Sequence, residues 1–369
     1  MGTILALNWP VPISTLSFEH IFSSSSVDDA ELVRLSRLRR SLAEMTNETA
    51  IQVESPIFAY RDAWIAFWQR NIRFVGSSAR SRIPLRFEWR VQLISSTSSN
   101  NNVDETSHII EYADPSPLLE TACITFAAVS IYQRLAAKAS TIDEAEKHAS
   151  SAISLLEWLQ TNVVTVARRI TEPPPVRPPS QSLEEAMRNE VLTQHIRLRD
   201  PEVLSPYLVT AVSRAINAQL HCKRAITALG TSLPALLASS HFFSGARLFE
   251  RAANILPAER SLRTAHCRIT AIAYRYLSQA LIDEGSPTNH GVAVALAREA
   301  VALDPSSNAL CRFNEEMRER NRIEFGMQSV PTSGSIVLKF TRTSSLNVLQ
   351  DPLTSQYTIT VPLPPTSSS

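Results

Sequence analysis

Apolar residues recur at helical spacing along most of the chain, and most clearly in residues 118–164. This stretch reads as two successive amphipathic helices that are rich in alanine. The repeating apolar positions are Leu119, Ala122, Cys123, Phe126, Val129, Ile131, Leu135 and Ala136, then Ala145, Ala149, Ala152, Leu155, Leu156 and Leu159. Because small side chains let helices approach closely, the pair predicts a stacked helical array. Such an array favours a function carried by a surface over one carried by a pocket.

The same period predicts helices on both sides of this pair. The first begins at Asp28 or Asp29 and runs to Met45, and the second opens at Ser55-Pro56, an N-cap followed by proline at the first helical position. Later helices are predicted from Leu183 onward, and at about 207–229, 232–255, 258–284, 290–303 and 306–323.

Strict alternation replaces the helical period in residues 84–94, PLRFEWRVQLI. Apolar and polar residues take turns there, which predicts a half-buried strand. Ile336, Leu338 and Phe340 indicate one more short strand near the end of the chain. Polar residues 95–107 and the proline-rich stretch 171–180 are interpreted as surface loops, with a polyproline ligand as the alternative for 171–180. The last dozen residues are interpreted as disordered.

Composition excludes several classes of function. The net charge of +1 and the pI near 7.8 give no reason to expect nucleic acid as a partner. Only eight glycines disfavour phosphate-binding loops, and no apolar run reaches the length of a membrane span. The four cysteines are far apart in helical patterns, which indicates buried free thiols in the cytosol.

No motif in the chain indicates catalysis, and we expect no enzyme, cofactor or metal. The pairs His221-Cys222 and His266-Cys267 cannot each chelate one ion, because neighbouring helical residues point about 100° apart. Two arginine-rich runs are interpreted as solvated helix faces, with a binding stripe for acidic partners or anionic lipid head groups as the alternative if they converge in space. The runs consist of Arg37, Arg39 and Arg40, and of Arg318, Arg320 and Arg322.

Two segments, AANILP (252–257) and AVALDP (300–305), look like the ends of tetratricopeptide helices. Their spacing of 48 residues differs from the period of about 34 in that repeat, so true repeats are not expected. Similar helical-hairpin packing remains an expectation. A tetratricopeptide-like peptide clamp is therefore kept as an alternative function, which would need a concave groove lined by Asn, Lys and Arg.

Five segments occur in the order found in the Bro domain family, and the chain resembles that family over about residues 8–335. The segments are LSRLRRSL (35–42), RFEWRVQLI (86–94), LETACITFAAVSIYQRLAA (119–137), ASSAISLLEWLQTNV (149–163) and RIEFGMQSVP (322–331). Ala127 stands where the family often has Asn. The start of the chain, residues 9–26, is most similar to fungal members that act in ambient-pH signalling.

The resemblance implies a mainly α fold, elongated and curved, with tetratricopeptide-like hairpins and a small N-terminal β element. It also implies one domain over 1–335, with an extended part at 1–27, a helical core at 28–323, and an extended, partly disordered tail at 336–369. The implied function is a non-enzymatic cytoplasmic adaptor that is recruited to endosomal or cortical membranes. General endosomal sorting is the alternative pathway to pH signalling.

The partner implied by the resemblance is the C-terminal amphipathic helix of an ESCRT-III core subunit. Other pH-signalling proteins and peripheral membrane contact are further implied partners. An ungapped alignment through Lys223 carries the family's partner-binding patch onto Leu220, Leu233 and Leu237. The last two are four residues apart, so on one helix they share a face. Leu220 replaces an aromatic residue of the family, and Pro234 also departs from its pattern.

Overall fold

The computed structural model describes a mainly helical protein. The described residues are 11–12, 16–21, 29–44, 54–75, 87–92, 109–114, 117–165, 205–230, 234–257, 260–283, 289–324, 330, 334–341 and 356–363. The helices are α1 (Phe18–Ile21), α2 (Asp29–Ala43), α3 (Glu54–Val75), α4 (Pro117–Lys138), α5 (Ile142–Leu159), α6 (Pro206–Ala228), α7 (Pro234–Ile255), α8 (Arg260–Asp283), α9 (His290–Leu303) and α10 (Asn308–Ile323). The strands are β1 (Val11–Pro12), β2 (Phe87–Gln92), β3 (Ile109–Asp114), β4 (Gly334–Thr341) and β5 (Gln356–Leu363).

The chain divides into two compact units. The first comprises Met1–Lys223 and Arg247–Ala265, and the second comprises Arg224–Ala246 and His266–Ser369. The mainly α fold class predicted from the sequence is confirmed. The predicted loop at 171–180 and the helix from Leu183 lie outside the described residues.

The first unit contains a three-stranded antiparallel sheet in the order β1-β2-β3. Trp89 of β2 pairs with Pro12 of β1 on one side and with Tyr112 of β3 on the other. The strand predicted at 84–94 is confirmed as β2. The third strand, with the sequence IIEYAD, was not predicted, because so short a run shows no clear alternation.

Helix α4 lies at the centre of the first unit and is buried on all sides. Every residue from Leu118 to Ile131 is buried, so the predicted one-sided apolar stripe is wrong for this helix. Two of its buried hydroxyl groups donate hydrogen bonds to the backbone of the same helix, four residues earlier. Thr125 donates to the carbonyl of Thr121 at 2.7 Å, and Ser130 donates to that of Phe126 at 3.0 Å. Helix α5 is amphipathic as predicted, and Thr141 caps it by accepting a hydrogen bond from the backbone N–H of Glu144 at 3.2 Å.

A buried ion pair joins α2 to α4. Arg39 Nε donates to Glu120 Oε1 at 2.8 Å and Arg39 Nη2 donates to Glu120 Oε2 at 3.3 Å, with both side chains fully buried. Tyr60 of α3 donates to Oε1 of the same carboxylate at 2.5 Å, and Trp89 Nε1 of β2 donates to Oε2 at 2.5 Å. One carboxylate therefore accepts hydrogen bonds from three different elements.

Two aromatic rings lie within cation–π distance of the guanidinium of this pair. The guanidinium carbon of Arg39 lies 5.9 Å from the ring centroid of Phe87 and 5.7 Å from that of Trp89. Burial lowers the pKa of Arg39, but the neighbouring Glu120 and Tyr60 outweigh it, and the pKa is raised overall. Burial, and then the charge of Glu120, raise the pKa of Tyr60 well above its usual value. Arg39 is therefore the cation of the pair, and Tyr60 is a neutral donor.

The sequence interpretation of Arg39 as part of a solvated face is wrong. Arg37 and Arg40 are exposed, whereas Arg39 is buried. Position 39 lies four residues after Leu35 and three before Leu42, which places it on the apolar face of α2. Of the second run, Arg318 and Arg322 are exposed and Arg320 is half-buried.

The second unit is built from parts of α6, α7 and α8, with α9 and α10. Ser239 donates to the carbonyl of Ala273 at 2.9 Å, and Ser278 donates to that of Ala293 at 2.8 Å, which ties α7 to α8 and α8 to α9. The rings of Phe242 and Tyr276 stack with centroids 5.6 Å apart. The predicted boundaries of these helices agree with the structure to within about two residues.

The end of the chain contains an antiparallel pair, β4 with β5. Ile336 pairs with Val361, Leu338 with Ile359 and Phe340 with Tyr357. The short strand predicted at 336–340 is therefore confirmed. Disorder of the last dozen residues is wrong for 358–363, which lie in β5, because a strand partner supplies the hydrogen bonds that an isolated tail would lack.

We expect the Arg39–Glu120 pair to act as a unit in stability. Arg39→Met leaves a buried carboxylate without its cation, and should lower the free energy of unfolding by about 3–5 kcal/mol. The double variant R39M/E120M removes both charges and should lose less than the sum of the two single variants. Urea unfolding of the full chain measures these differences. Arg37→Met is the exposed control, expected within about 0.5 kcal/mol of the wild type; an equal effect of R37M and R39M would contradict the assignment.

Candidate functional site

The residues predicted to bind a partner fall on helices α6 and α7, and each helix is described by itself. Among the described residues, no group of three or more His, Cys, Asp or Glu side chains could hold a metal ion. His221-Cys222 and His266-Cys267 lie on α6 and α8 as ordinary helical residues. The predicted partner-binding positions are therefore the residues whose placement matters.

Helix α7 buries one face and leaves another half-exposed. Ala235, Ala238, Phe242 and Phe249 are buried in the core. Leu237, Ser240, His241 and Ser244 are half-buried, at spacings of three and four residues. Leu237 is therefore the first residue of a half-exposed face of α7. A partner helix can dock only on a face that is accessible in this way.

Helix α6 also has one buried face and one half-buried face. Leu208, Val212 and Ile216 are buried, whereas Ser213, Asn217 and Leu220 form a half-buried row. Leu220 packs with part of its side chain against the core of the first unit. Lys223 Nζ donates to the carbonyl of Ala139 at 2.7 Å, just beyond the end of α4, which fixes α6 in the first unit.

The three predicted partner-binding residues lie in different parts of the chain. Leu220 lies in the first unit, Leu237 lies in the second, and Leu233 lies outside the described residues. Pro234 is the first residue of α7, a position that proline tolerates because its missing N–H has no partner inside the helix. The departure of Pro234 from the family pattern is therefore compatible with a helix beginning there.

One functional candidate that the sequence interpretation missed is His241. It lies four residues after Leu237 and so shares its face of α7. Burial, and then the charge of Arg224, lower the pKa of His241, which favours the neutral imidazole. The spacing of four from Leu237 was the signal that could have found it.

A concave feature lies in the second unit, between α8 and α10. It is an open cleft of about 670 Å³ whose lining includes Arg275, Phe313, Glu316, Met317 and Arg320. The guanidinium carbon of Arg275 lies 5.5 Å from the ring centroid of Tyr276 and 5.4 Å from that of Phe313. Its contacts are those of packing, and they give no arrangement of nucleophile and base.

The structure resembles solved Bro1 domains. It is similar to the ALIX BRO1 domain in its complex with CHMP4C, with 16% sequence identity, a TM-score of 0.54, and coverage of 89% of this chain and 90% of that one. A structure of ALIX with the SIVmac239 PYKEVTEDL late domain gives 14% identity and a TM-score of 0.54, covering 89% of this chain and 46% of that one.

A third similar structure is a Bro1 domain described as the basis for endosomal targeting. Its sequence identity is 12% and its TM-score is 0.50, with coverage of 88% of this chain and 87% of that one. Comparison of the sequence with protein-family models gives no match, and comparison with curated proteins gives none either. At these identities the likeness shows that the chain has the fold of Bro1 domains.

No helix in the described part of the chain is long and apolar enough to cross a membrane. The similarity to solved Bro1 domains supports, at the level of the fold, the resemblance to Bro domains stated from the sequence. A narrower relation to the fungal members remains a prediction.

We expect the four cysteines to differ in reactivity. All four are free; Cys123 and Cys222 are buried, whereas Cys267 and Cys311 are half-buried, so the prediction of buried thiols is correct for two of them. Burial raises the pKa of Cys123 well above its usual value and that of Cys222 to about 12. Iodoacetamide at pH 8 should therefore modify Cys267 and Cys311 first, as read by peptide mass spectrometry. Labelling of Cys123 in the folded chain as fast as in urea would contradict its placement.

Proposed function

We propose that this chain is a non-enzymatic adaptor that binds the C-terminal amphipathic helix of an ESCRT-III core subunit. Leu220, Leu233 and Leu237 supply the apolar contacts in this proposal. The observation that carries it is the fold, which the chain shares with a BRO1 domain solved in complex with CHMP4C. The half-exposed row of α7 that begins at Leu237 supports the same reading.

The physics of such a contact implies weak binding. A single amphipathic helix covers a few apolar side chains, so only a part of the area of a standard protein interface, about 800 Å² per partner, becomes buried. We expect a dissociation constant in the micromolar range, about −8 kcal/mol or weaker. Repeated subunits of an ESCRT-III polymer then raise the effective affinity by avidity.

For the pathway, we propose fungal ambient-pH signalling, which leads to proteolytic activation of a transcription factor. The support is the similarity of residues 9–26 and of the strand Phe87-Glu88-Trp89-Arg90 to PalC, a pH-response regulator. The adaptor is cytoplasmic in this proposal and is recruited to endosomal or cortical membranes. Other proteins of the same pathway are its further partners.

General endosomal sorting is a second candidate, because one similar structure is described as the basis for endosomal targeting by the Bro1 domain. A deletion strain separates the two pathways. Loss of growth at alkaline pH with normal delivery of a vacuolar cargo is the result expected for pH signalling. Normal alkaline growth with missorted cargo would assign the chain to general sorting instead.

We expect Leu237→Asp to weaken binding of the ESCRT-III helix at least about tenfold, because a charge on the half-exposed face of α7 must be desolvated when the helix docks. Titration of the full chain against a fluorescein-labelled synthetic C-terminal helix measures the dissociation constant. Circular dichroism confirms that the variant is folded.

Ile323→Asp is the matched control, since Ile323 is 64% exposed on α10 and the substitution has the same chemistry. I323D should bind within about twofold of the wild type. Equal binding by L237D and the wild type would remove Leu237 from the site, and equal losses in L237D and I323D would point to a non-specific apolar contact.

A further inference from the structure

Helices α6, α7 and α8 carry most of their charge with one sign. Their sequences contain nine Lys and Arg against two acidic residues, Glu250 and Asp283. The whole chain has a net charge of only +1, so this excess is local. A local excess of cations on one surface attracts anionic partners.

Four arginines of this group are exposed in the first unit. Arg247 and Arg251 are four residues apart on the last turns of α7, and Arg260 and Arg263 are three apart at the start of α8. Each pair therefore shares one face of its helix. Because only four residues separate Ile255 from Arg260, the end of α7 and the start of α8 are neighbours in space. We call these four residues the arginine surface.

Within the part of the chain that the structure describes, the arginine surface is not paired with a carboxylate. Neither Arg247 nor Arg251, nor Arg260 nor Arg263, forms an ion pair with a carboxylate of the described residues. Arg214 of α6 donates instead to the backbone carbonyl of Arg251 at 3.2 Å, which adds a further cation beside the surface. Glu250 is an exposed carboxylate nearby on α7.

The position of Arg260 and Arg263 is also electrostatically unfavourable. They fall at the beginning of α8, where the helix dipole is positive and its first backbone N–H groups lack partners within the helix. Acidic residues are the stabilising choice at such an end; the first turn of α8 has none, and Glu259 precedes it directly in the sequence. An anion docked here would neutralise the arginines and accept hydrogen bonds from the helix end at once.

We propose that the arginine surface binds an acidic peptide segment of a partner protein, with carboxylate or phosphate groups as the recognised chemistry. All four cations are arginine, whose planar guanidinium pairs with two oxygens of a carboxylate or phosphate. A membrane surface fits less well, since the described parts of α7 and α8, which carry these arginines, have no exposed large apolar residue. This site is separate from the apolar positions of the proposed function.

The test is a titration of the full chain with two fluorescein-labelled peptides, one alternating Glu with Gly and one alternating phosphoserine with Gly. We expect saturable binding of at least one peptide, which weakens as salt rises from about 0.05 to about 0.5 M. The charge reversal R247E/R251E should weaken it at least about tenfold. The matched control R37E/R40E reverses two exposed arginines of α2 and should change binding less than about twofold.

Binding of R247E/R251E equal to that of the wild type would overturn the proposal, as would equal losses in the two double variants, which would indicate only a response to net charge. Vesicles with about 30% phosphatidylserine form the other arm. Sedimentation of the chain with these vesicles, without binding of either peptide, would overturn the peptide assignment in favour of a lipid surface. Because L237D leaves the arginine surface intact, it should bind the acidic peptide normally whatever its effect on the ESCRT-III helix.

Discussion

The buried Arg39–Glu120 pair is the interaction on which the first unit depends. The carboxylate of Glu120 on α4 receives hydrogen bonds from Arg39 of α2, Tyr60 of α3 and Trp89 of β2. Apolar packing alone would allow these elements to slide against α4, whereas a buried charge is stable only with all its partners in place. The pair therefore sets the register of two helices and the sheet on the central helix. Arg39→Met against Arg39→Lys would further show how much of this depends on the guanidinium fork rather than on charge.

The periodicity of the sequence is sufficient to predict α6, α7, α8 and α10, because each has one buried face and one face that water reaches. Helix α9 was predicted from its apolar residues although it is buried on nearly all sides. Periodicity is insufficient where burial surrounds an element. Helix α4 carries Glu120 and Thr121 among its apolar residues, and the sequence around them does not reveal that their partners come from α2, α3 and β2. Arg39 was misjudged for the same reason: its neighbours Arg37 and Arg40 are exposed, and only its spacing from Leu35 and Leu42 places it inside.

At the candidate site too, the sequence predicts which residues share a helix face but not how exposed they are. Spacing alone indicates that Leu237 shares a face with a residue four positions away, and the half-exposed row of α7 agrees with this. Which leucines a partner can reach depends on how much the rest of the fold covers, as Leu220 illustrates by packing partly against the core of the first unit. The arginine surface could be predicted only once the helix ends were known, because Arg260 and Arg263 are unfavourable only if α8 begins beside them.

The central proposal is that the chain binds a partner helix through Leu220 of α6 and Leu237 of α7. Amide hydrogen exchange of the full chain, with and without the C-terminal helix of the ESCRT-III subunit at saturating concentration, tests it most directly. The account predicts slower exchange in peptides from residues 206–246, with little change in α4, α5 and α10. Slower exchange confined to α10, or no change in any helix at saturation, would contradict it.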